Sequence, residues 1–101
     1  MADPTLLLAL ACAARLSGLP NLPAPLPYYE RRAASAYERA HSDAPLSAVG
    51  VYWPYAEGVI VAPDWPTLVH EAVHHLQRLH DLPLEEGAAY AAQRRAGECL
   101  N

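Results

Sequence analysis

The sequence predicts a small α+β domain of about four helices, with a short β-hairpin or sheet packed on one of the helices. Two observations carry this prediction. At 101 residues the chain has the length of one small domain, so we expect residues 1–101 to form a single domain. Segments with helical spacing of apolar residues lie on both sides of one β-prone region, and proline or glycine marks the junctions.

The first predicted helix covers residues 1–18. Asp3 is a suitable N-cap, Pro4 fits the first turn, and Gly18 closes the helix. The apolar run inside it, TLLLALACAA, is too short to span a bilayer and lacks the basic start of a secretory signal. We therefore expect a structural helix here and no interaction with a membrane.

Cysteine usage bears on the cellular compartment. Cys12 and Cys99 are the two cysteines of the chain, and a single pair does not define a disulfide framework. Their pairing stays open at this point, with reduced thiols and a cytoplasmic location as the default expectation. The alternative is a secreted protein, with residues 1–14 acting as an atypical signal or Cys12 carrying a lipid.

The charge balance argues against nucleic acid as a partner. Seven basic residues, all of them arginine, oppose eleven acidic residues and give a net charge of −4. Arginines are adjacent only in two pairs, Arg31 with Arg32 and Arg94 with Arg95, which suit solvated helix faces. Since nucleic-acid binding usually requires a basic patch, we expect no such partner.

The middle of the chain is predicted to contain a connector, a helix and a β region. Residues 19–27 include four prolines, which favour an extended connector. A packing helix is expected over residues 28–42, where tyrosine and alanine side chains recur at helical spacing. Residues 47–63 hold two β-prone runs separated by PYAEG, which predicts a hairpin or two short adjacent strands.

A further helix is predicted over residues 64–81. Asp64 is its N-cap, Pro66 fits its first turn, and Pro83 prevents its continuation. One arc of this helix is apolar and is expected to face the core: Trp65, Leu68, Val69, Ala72, Val73, Leu76 and Leu79. The opposite arc is polar and carries His70, His74, Gln77 and Asp81.

Two histidines on this polar arc form a candidate metal site. At a spacing of four residues the β-carbons of His70 and His74 lie about 5 to 6 Å apart, so both imidazoles reach one zinc ion. Glu71 points beside the metal, where a general base takes a proton from a water molecule that zinc has made more acidic. The motif HEAVH therefore predicts one Zn²⁺ as cofactor, and hydrolytic chemistry.

A catalytic zinc site has three protein ligands and one open position, so a third ligand is expected from the last helix. That helix, predicted over residues 83–98, has Glu85 and Glu86 in its first turn, where the helix dipole alone also favours acids. The face that contains Glu86 also carries several small residues, which allow close approach to the helix predicted over residues 64–81. We choose Glu86 as the third ligand and keep Glu85 as the alternative.

HEAVHHLQ followed by EGAAYAAQ resembles the gluzincin branch of the zinc metallopeptidases, and more closely the small zincin-like domains called minigluzincins. The resemblance covers about residues 47–97 and implies a minimal zincin-like fold. It implies that zinc is bound by His70, His74 and Glu86, with Glu71 as the general base. It also implies an edge strand before the motif helix that holds the substrate backbone, here Val59, Ile60 and Val61.

The sequence departs from this family at Tyr90, where an aspartate often orients a histidine. Tyr90 is therefore predicted to orient a ligand or to donate a hydrogen bond to an oxyanion, and a core tyrosine is the alternative. Further candidates for oxyanion stabilisation are Tyr52, Tyr55 and His75. For His75 and His80, the simpler expectation is an exposed or capping histidine.

These features predict a zinc-dependent metallopeptidase with a peptide or protein as substrate. In this hypothesis Glu71 removes a proton from the attacking water and later delivers it to the leaving amine. The alternative is a latent or non-catalytic zinc-binding module that acts in protein interaction or regulation. The base at Glu71 favours the enzyme, because a purely structural zinc has no use for it and usually has four protein ligands.

Overall fold

The computed structural model describes residues 3–42 and 48–100, so the predicted segment ends at residues 1, 47 and 101 lie outside the described residues. Its elements are α1 (Pro4–Ser17), β1 (Tyr28–Glu30), α2 (Ala36–Ala40), β2 (Val51–Trp53), β3 (Val59–Val61), α3 (Trp65–Leu79), α4 (Glu86–Arg95) and a final 3₁₀ helix (Ala96–Leu100). Four helices with a small three-stranded sheet confirm the predicted α+β class.

Helix α1 begins and ends at the residues that the sequence indicates. The Asp3 carboxylate accepts a hydrogen bond from the backbone N–H of Thr5 at 2.8 Å, which satisfies a donor at the helix start. Gly18 ends the helix in the left-handed region at φ 76°, where a side chain is disfavoured. No helix in the described part of the chain is long and apolar enough to cross a membrane.

Helix α3 lies at the centre of the molecule and packs against α1, α4 and the sheet. Asp64 caps it by accepting a hydrogen bond from the N–H of Thr67 at 2.9 Å, as predicted. The core forms around its apolar side and contains the largest fully buried side chains, among them Leu10, Ile60, Leu68 and Leu76. His80 is the C-cap of α3, which confirms the capping role predicted for it.

The helix predicted over residues 28–42 is wrong. Residues 28–30 form β1, which pairs in parallel with β3, and only Ala36–Ala40 are helical. The helix starts late because Ser35 and Glu38 form a capping box, with the Ser35 hydroxyl accepting from the Glu38 N–H at 3.1 Å. The connector at residues 19–27 contains no helix or strand, as expected.

The predicted hairpin exists, because β2 and β3 pair antiparallel with Tyr52 opposite Ile60. The strand order is β1-β3-β2, however, so Val59–Val61 forms the central strand and is paired on both sides. The prediction that Val59, Ile60 and Val61 form the substrate-facing edge is therefore wrong. It failed because β1, expected to be helical, occupies the outer side of β3.

Helix α4 begins later than predicted, at Glu86 rather than Pro83. Glu85 is its N-cap, and the two carboxylate oxygens of Glu85 accept from the N–H groups of Gly87 and Ala88. The prediction that Glu85 and Glu86 share the first turn is thus corrected. Glu85 satisfies the helix N-terminus, while Glu86 is the first helical residue.

Cys12 in α1 and Cys99 in the final 3₁₀ helix form a disulfide, with Cα atoms 5.9 Å apart. The bond joins two residues that are 87 positions apart in the sequence. Close by, the Trp65 indole N–H donates to the carbonyl of Ala96 at 2.8 Å and fixes the last helix against α3. The expectation of reduced thiols is wrong, because packing of the first and last helices brings the two sulfurs together.

Candidate metal centre

His70 and His74 lie one turn apart on α3, and both side chains are buried, with 6% relative exposure each. Their ring centroids are 5.0 Å apart and the rings meet edge to face. This arrangement follows from the spacing of four residues, which places both side chains on one face of the helix. The two imidazoles open onto the same point beside α4.

Two glutamine amides determine which nitrogen of each ring faces that point. The Nδ1–H of His70 donates to Oε1 of Gln93 at 2.7 Å, and the Nδ1–H of His74 donates to Oε1 of Gln77 at 2.9 Å. An amide oxygen only accepts hydrogen bonds, so the proton of each neutral ring resides on Nδ1. The Nε2 lone pairs are therefore free to act as metal ligands.

Glu86 supplies a carboxylate oxygen at the same point. Its Oε1 lies 3.2 Å from Nε2 of His70 and also contacts Nε2 of His74. Two nitrogen lone pairs and an anionic oxygen repel one another unless a proton or cation lies among them. Of the two glutamates considered from the sequence, it is Glu86 that meets the histidines, because the Glu85 carboxylate caps α4.

Glu71 completes the group from the neighbouring position on α3. Ligand-type atoms of His70, Glu71 and His74 all lie within 4.8 Å of one another, so this group can hold a metal ion. The Glu71 side chain is buried, and that burial, together with the negative charge of Glu86, raises its pKa to about 8. In the metal-free protein Glu71 is therefore a carboxyl group with a strong tendency to keep its proton at neutral pH.

Burial also acts on the histidines. It lowers the pKa of His70, an effect that the nearby His74 ring reinforces, while Glu86 opposes it. An imidazole that is hard to protonate keeps its Nε2 lone pair over a wider pH range. This property suits a metal ligand, since a proton and a metal compete for the same nitrogen.

Gly50, directly before β2, leaves room for the Glu71 carboxylate. A β-carbon at this position would collide with Cγ2 of Thr67 and would lie 3.0 Å from Oε2 of Glu71. Gly50 is buried in the structure, so the missing side chain provides room for the carboxylate. No pattern in the sequence marked Gly50 as part of the site.

The group opens into a cavity of about 510 Å³. Tyr90, Leu84 and Trp53 contribute to its wall, with the Tyr90 ring 4.6 Å from the His70 ring in an edge-to-face contact. Tyr90 is 42% exposed, so it is not a core tyrosine. The histidine-orienting role considered for Tyr90 belongs instead to the amides of Gln93 and Gln77, while a role as hydrogen-bond donor inside the cavity stays a prediction.

Of the other oxyanion candidates, Tyr52 lines the cavity, whereas Tyr55 and His75 do not. The Tyr52 hydroxyl lies 2.9 Å from Nδ1 of His75, and both residues are buried. The expectation that His75 is exposed or capping is wrong, because β2 covers it. Tyr55 is 76% exposed and is not among the residues that line the cavity.

His41 is a further cavity-lining residue that sequence reasoning missed. It was placed in a packing helix over residues 28–42, and no motif distinguished it. Gln77, in contrast, was assigned to the polar arc of the motif helix, and Gln93 stands on the same face of α4 as Glu86. The spacing of seven residues between Glu86 and Gln93, two helical turns, was the available signal for Gln93.

The geometry places His70, Glu71 and His74, a buried group that could hold a metal ion, beside an open cavity. No known protein family, characterised protein or solved structure matches this chain.

Proposed function

We propose that this protein is a zinc-dependent metallopeptidase, with His70, His74 and Glu86 as ligands and Glu71 as general base. The observation that carries the proposal is the convergence of two Nε2 lone pairs and one carboxylate oxygen beside a second, buried carboxylate. Two imidazoles with one carboxylate are a common ligand set of catalytic zinc. The resemblance of the motif to gluzincins supports the same choice of metal.

Zinc held by His70, His74 and Glu86 would supply Lewis acidity, which would polarise a carbonyl group and make water more acidic. The Glu71 carboxylate, enclosed next to the ligands, accepts a proton from the attacking water and passes it to the leaving amine. A pKa of about 8 in the metal-free protein shows how strongly this environment favours the protonated form. A nearby cation opposes that effect and leaves the group poised to exchange a proton.

The cavity favours catalysis over a structural role for the metal. A structural zinc site is usually closed by four protein ligands, whereas here three ligands lie at the base of a cavity large enough for several side chains. Gln93 and Gln77 contact the Nδ1 atoms of the two rings, so the Nε2 atoms stay directed towards Glu86. The side that faces the cavity stays accessible to water and to a substrate.

The substrate backbone is proposed to bind along β2 rather than along Val59–Val61. In the described part of the chain β2 pairs only with β3, so its other edge is free. Gly50, Tyr52 and Trp53 all line the cavity, which places this free edge beside the site. An extended peptide that adds to the edge would satisfy the backbone groups of β2.

The test compares the native protein with Glu71→Gln, and uses Glu57→Gln on the exposed hairpin turn as the matched control. We expect about one zinc per chain in all three, measured by metal analysis. Cleavage of an internally quenched peptide library should fall about 10²- to 10⁴-fold in Glu71→Gln, because the general base is lost. Glu57→Gln should cleave at the native rate.

Removal of zinc with a chelator should abolish cleavage, and zinc addition should restore it. The proposal is contradicted if zinc-loaded native protein and Glu71→Gln cleave equally, or if neither cleaves any library member. In the second case, zinc bound by both proteins would support the alternative, a non-catalytic zinc-binding module.

A further inference from the structure

His41 stands apart from the zinc site on the sequence yet lines the same cavity. It is the residue directly after α2, a helix of five residues that buries none of its side chains. Neither the metal-binding group nor the proton transfer described above uses this histidine. Its position on the cavity wall therefore calls for a separate explanation.

Three contacts hold the His41 ring and backbone in place. The ring stacks on Tyr37 with centroids 4.0 Å apart and an interplanar angle of 23°. Its Nδ1–H donates to the backbone carbonyl of Tyr37 at 2.8 Å. The carbonyl of His41 accepts from the Trp53 indole N–H at 3.2 Å, which ties it to β2. A side chain fixed in this way loses little freedom when it binds a ligand.

The hydrogen bond to Tyr37 decides what the ring offers to a ligand. A carbonyl oxygen only accepts, so Nδ1 carries the proton of the neutral ring. Nε2 then bears a lone pair and acts as a hydrogen-bond acceptor. A substrate group that donates a hydrogen bond is the complement of this nitrogen.

The charged side chains that line the cavity also favour a substrate group that donates a hydrogen bond. Glu71 and Glu86 line the cavity, whereas no arginine from residues 3–42 or 48–100 does so. An acidic substrate side chain would therefore find no guanidinium to pair with it. A hydroxyl or ammonium group needs no such partner.

We propose that His41 is a specificity-determining residue, whose Nε2 accepts a hydrogen bond from a hydroxyl or ammonium side chain of the bound peptide. The proposal rests on the proposed function in that it takes a peptide as the occupant of the cavity. It assigns to His41 no part in the chemical step. The recognised residue lies within reach of the cavity wall formed by His41 and Trp53.

The test measures binding rather than turnover, in zinc-loaded Glu71→Gln protein. End-blocked peptides carry threonine or its isostere valine at one position, and lysine or norleucine in a second series, moved through each position in turn. Calorimetry gives the affinities. We expect at one position a preference for the donor-bearing side chain over its apolar partner of about three- to tenfold, the effect of one hydrogen bond. The two series distinguish hydroxyl from ammonium.

His41→Phe on the same background should remove the preference, whereas His41→Gln, which retains an acceptor oxygen, should keep part of it. His80→Phe is the matched control, because His80 also caps a helix but is not among the cavity-lining residues. If His41 merely caps α2, His41→Phe lowers the melting temperature and leaves the preference unchanged. That result, or no preference at any position, overturns the proposal.

The proposed function is judged separately by cleavage with the native protein. A donor preference that depends on His41 in a protein without turnover would contradict the peptidase and support His41 as a recognition residue. Turnover without this preference would support the peptidase and contradict the role of His41 in recognition. If no peptide binds to the zinc-loaded Glu71→Gln protein, the His41 proposal is wrong.

Discussion

At the scale of single residues, the orientation of the two proposed ligand rings, His70 and His74, depends on glutamine amides. Gln93 contacts His70 from α4, and Gln77 contacts His74 from within α3. Gln77 is itself held, because its amide exchanges hydrogen bonds of 3.0 Å with both backbone groups of Glu85. Gln77 thus orients the His74 ring and also fixes the loop that leads into α4.

Replacing Gln93 with leucine should weaken zinc binding. The substitution keeps a similar volume but removes the acceptor for Nδ1–H of His70, so the ring loses its fixed orientation. We expect zinc affinity to fall about 10- to 100-fold, measured by competition with a chromogenic chelator. Arg94→Leu, at the exposed neighbouring position, is the control and should bind zinc like the native protein. Equal affinities in the two variants would contradict this role.

Glu71 should give the metal-free protein an unusual dependence of stability on pH. Burial raises its pKa to about 8, so the folded state holds a proton that the unfolded state releases near pH 4.5. The stabilisation is complete below pH 4.5 and is lost as the pH rises through 8. Burial also lowers the pKa of His70, and lowers that of His75 to about 4, which adds stability as the pH rises towards 6.5.

Between pH 4.5 and 6.5 the glutamate and the histidines therefore act in opposite directions. Above pH 6.5 only the effect of Glu71 continues, and it destabilises the folded state. We expect the unfolding free energy of the zinc-free protein to fall by roughly 1 to 2 kcal/mol from pH 6.5 to 8, measured by urea denaturation. In Glu71→Gln the free energy should be nearly constant over this interval. A decrease of the same size in the variant would exclude Glu71 as its cause.

Residue-scale prediction from the sequence succeeded where the information is local. The spacing of His70, Glu71 and His74 on one helix is enough to place their side chains together. His75 was interpreted wrongly because its surroundings depend on Tyr52, which lies 23 positions away in the sequence. Burial created by a distant strand leaves no periodic signal around the residue that it covers.

At the scale of elements, the approach of β2 to α3 determines the size of the site. Gly50 lies at the junction and has no side chain between β2 and the residues Thr67 and Glu71. The adjacent hairpin turn shows the same feature: a β-carbon on Gly58 would come within 2.8 Å of the Tyr52 hydroxyl and 2.9 Å of Nδ1 of His75. The sheet lies close to α3 because positions 50 and 58 are glycine.

Gly50→Ala should push β2 away from α3 and displace Glu71. Overpacking of this kind costs about 1 to 3 kcal/mol of unfolding free energy, measured by chemical denaturation. Cleavage should fall more than zinc affinity does, because the base moves while the ligands are held by Gln93 and Gln77. Gly97→Ala is the matched control, since a β-carbon there meets nothing within 4 Å. A cleavage rate of Gly50→Ala equal to that of the native protein would contradict the close approach of β2 to α3 at this position.

The elements that the sequence predicted correctly are those with their own start and stop residues. Asp3 and Gly18 delimit α1, and Asp64 begins α3. Residues 28–30 were predicted helical because tyrosine and alanine recur at helical spacing, yet a three-residue strand is determined by its pairing with β3. The start of α2 was available locally in Ser35 and Glu38, which have the spacing of a capping box.

At the scale of the whole molecule, one covalent link closes nearly the entire described chain. The loop closed by the Cys12–Cys99 disulfide begins in the second half of α1 and contains the sheet, α2, α3 and α4. A cross-link over so long a loop greatly restricts the unfolded chain.

Replacing both cysteines with alanine should therefore lower stability without changing the site. For a loop of this length the chain-entropy model gives a loss of about 4 to 5 kcal/mol in unfolding free energy, and urea denaturation measures it. Under strong reductant, the unfolding free energy of the native protein should fall towards that of the variant. The unfolding free energy of the variant should be the same with and without reductant. Zinc affinity should persist where the variant stays folded. Equal stability of native protein and variant would show that the bond does not form.

The disulfide also determines whether cleavage of the chain by a protease releases a fragment. The connector at residues 19–27 is exposed over nearly its whole length and contains no helix or strand, so it is a preferred point of attack. A chain cut there is two polypeptides, but the shorter one remains joined through Cys12. Such a nicked molecule runs as one band on a gel without reductant and as two bands with it, and it keeps His70, Glu71, His74 and Glu86 together on its larger fragment.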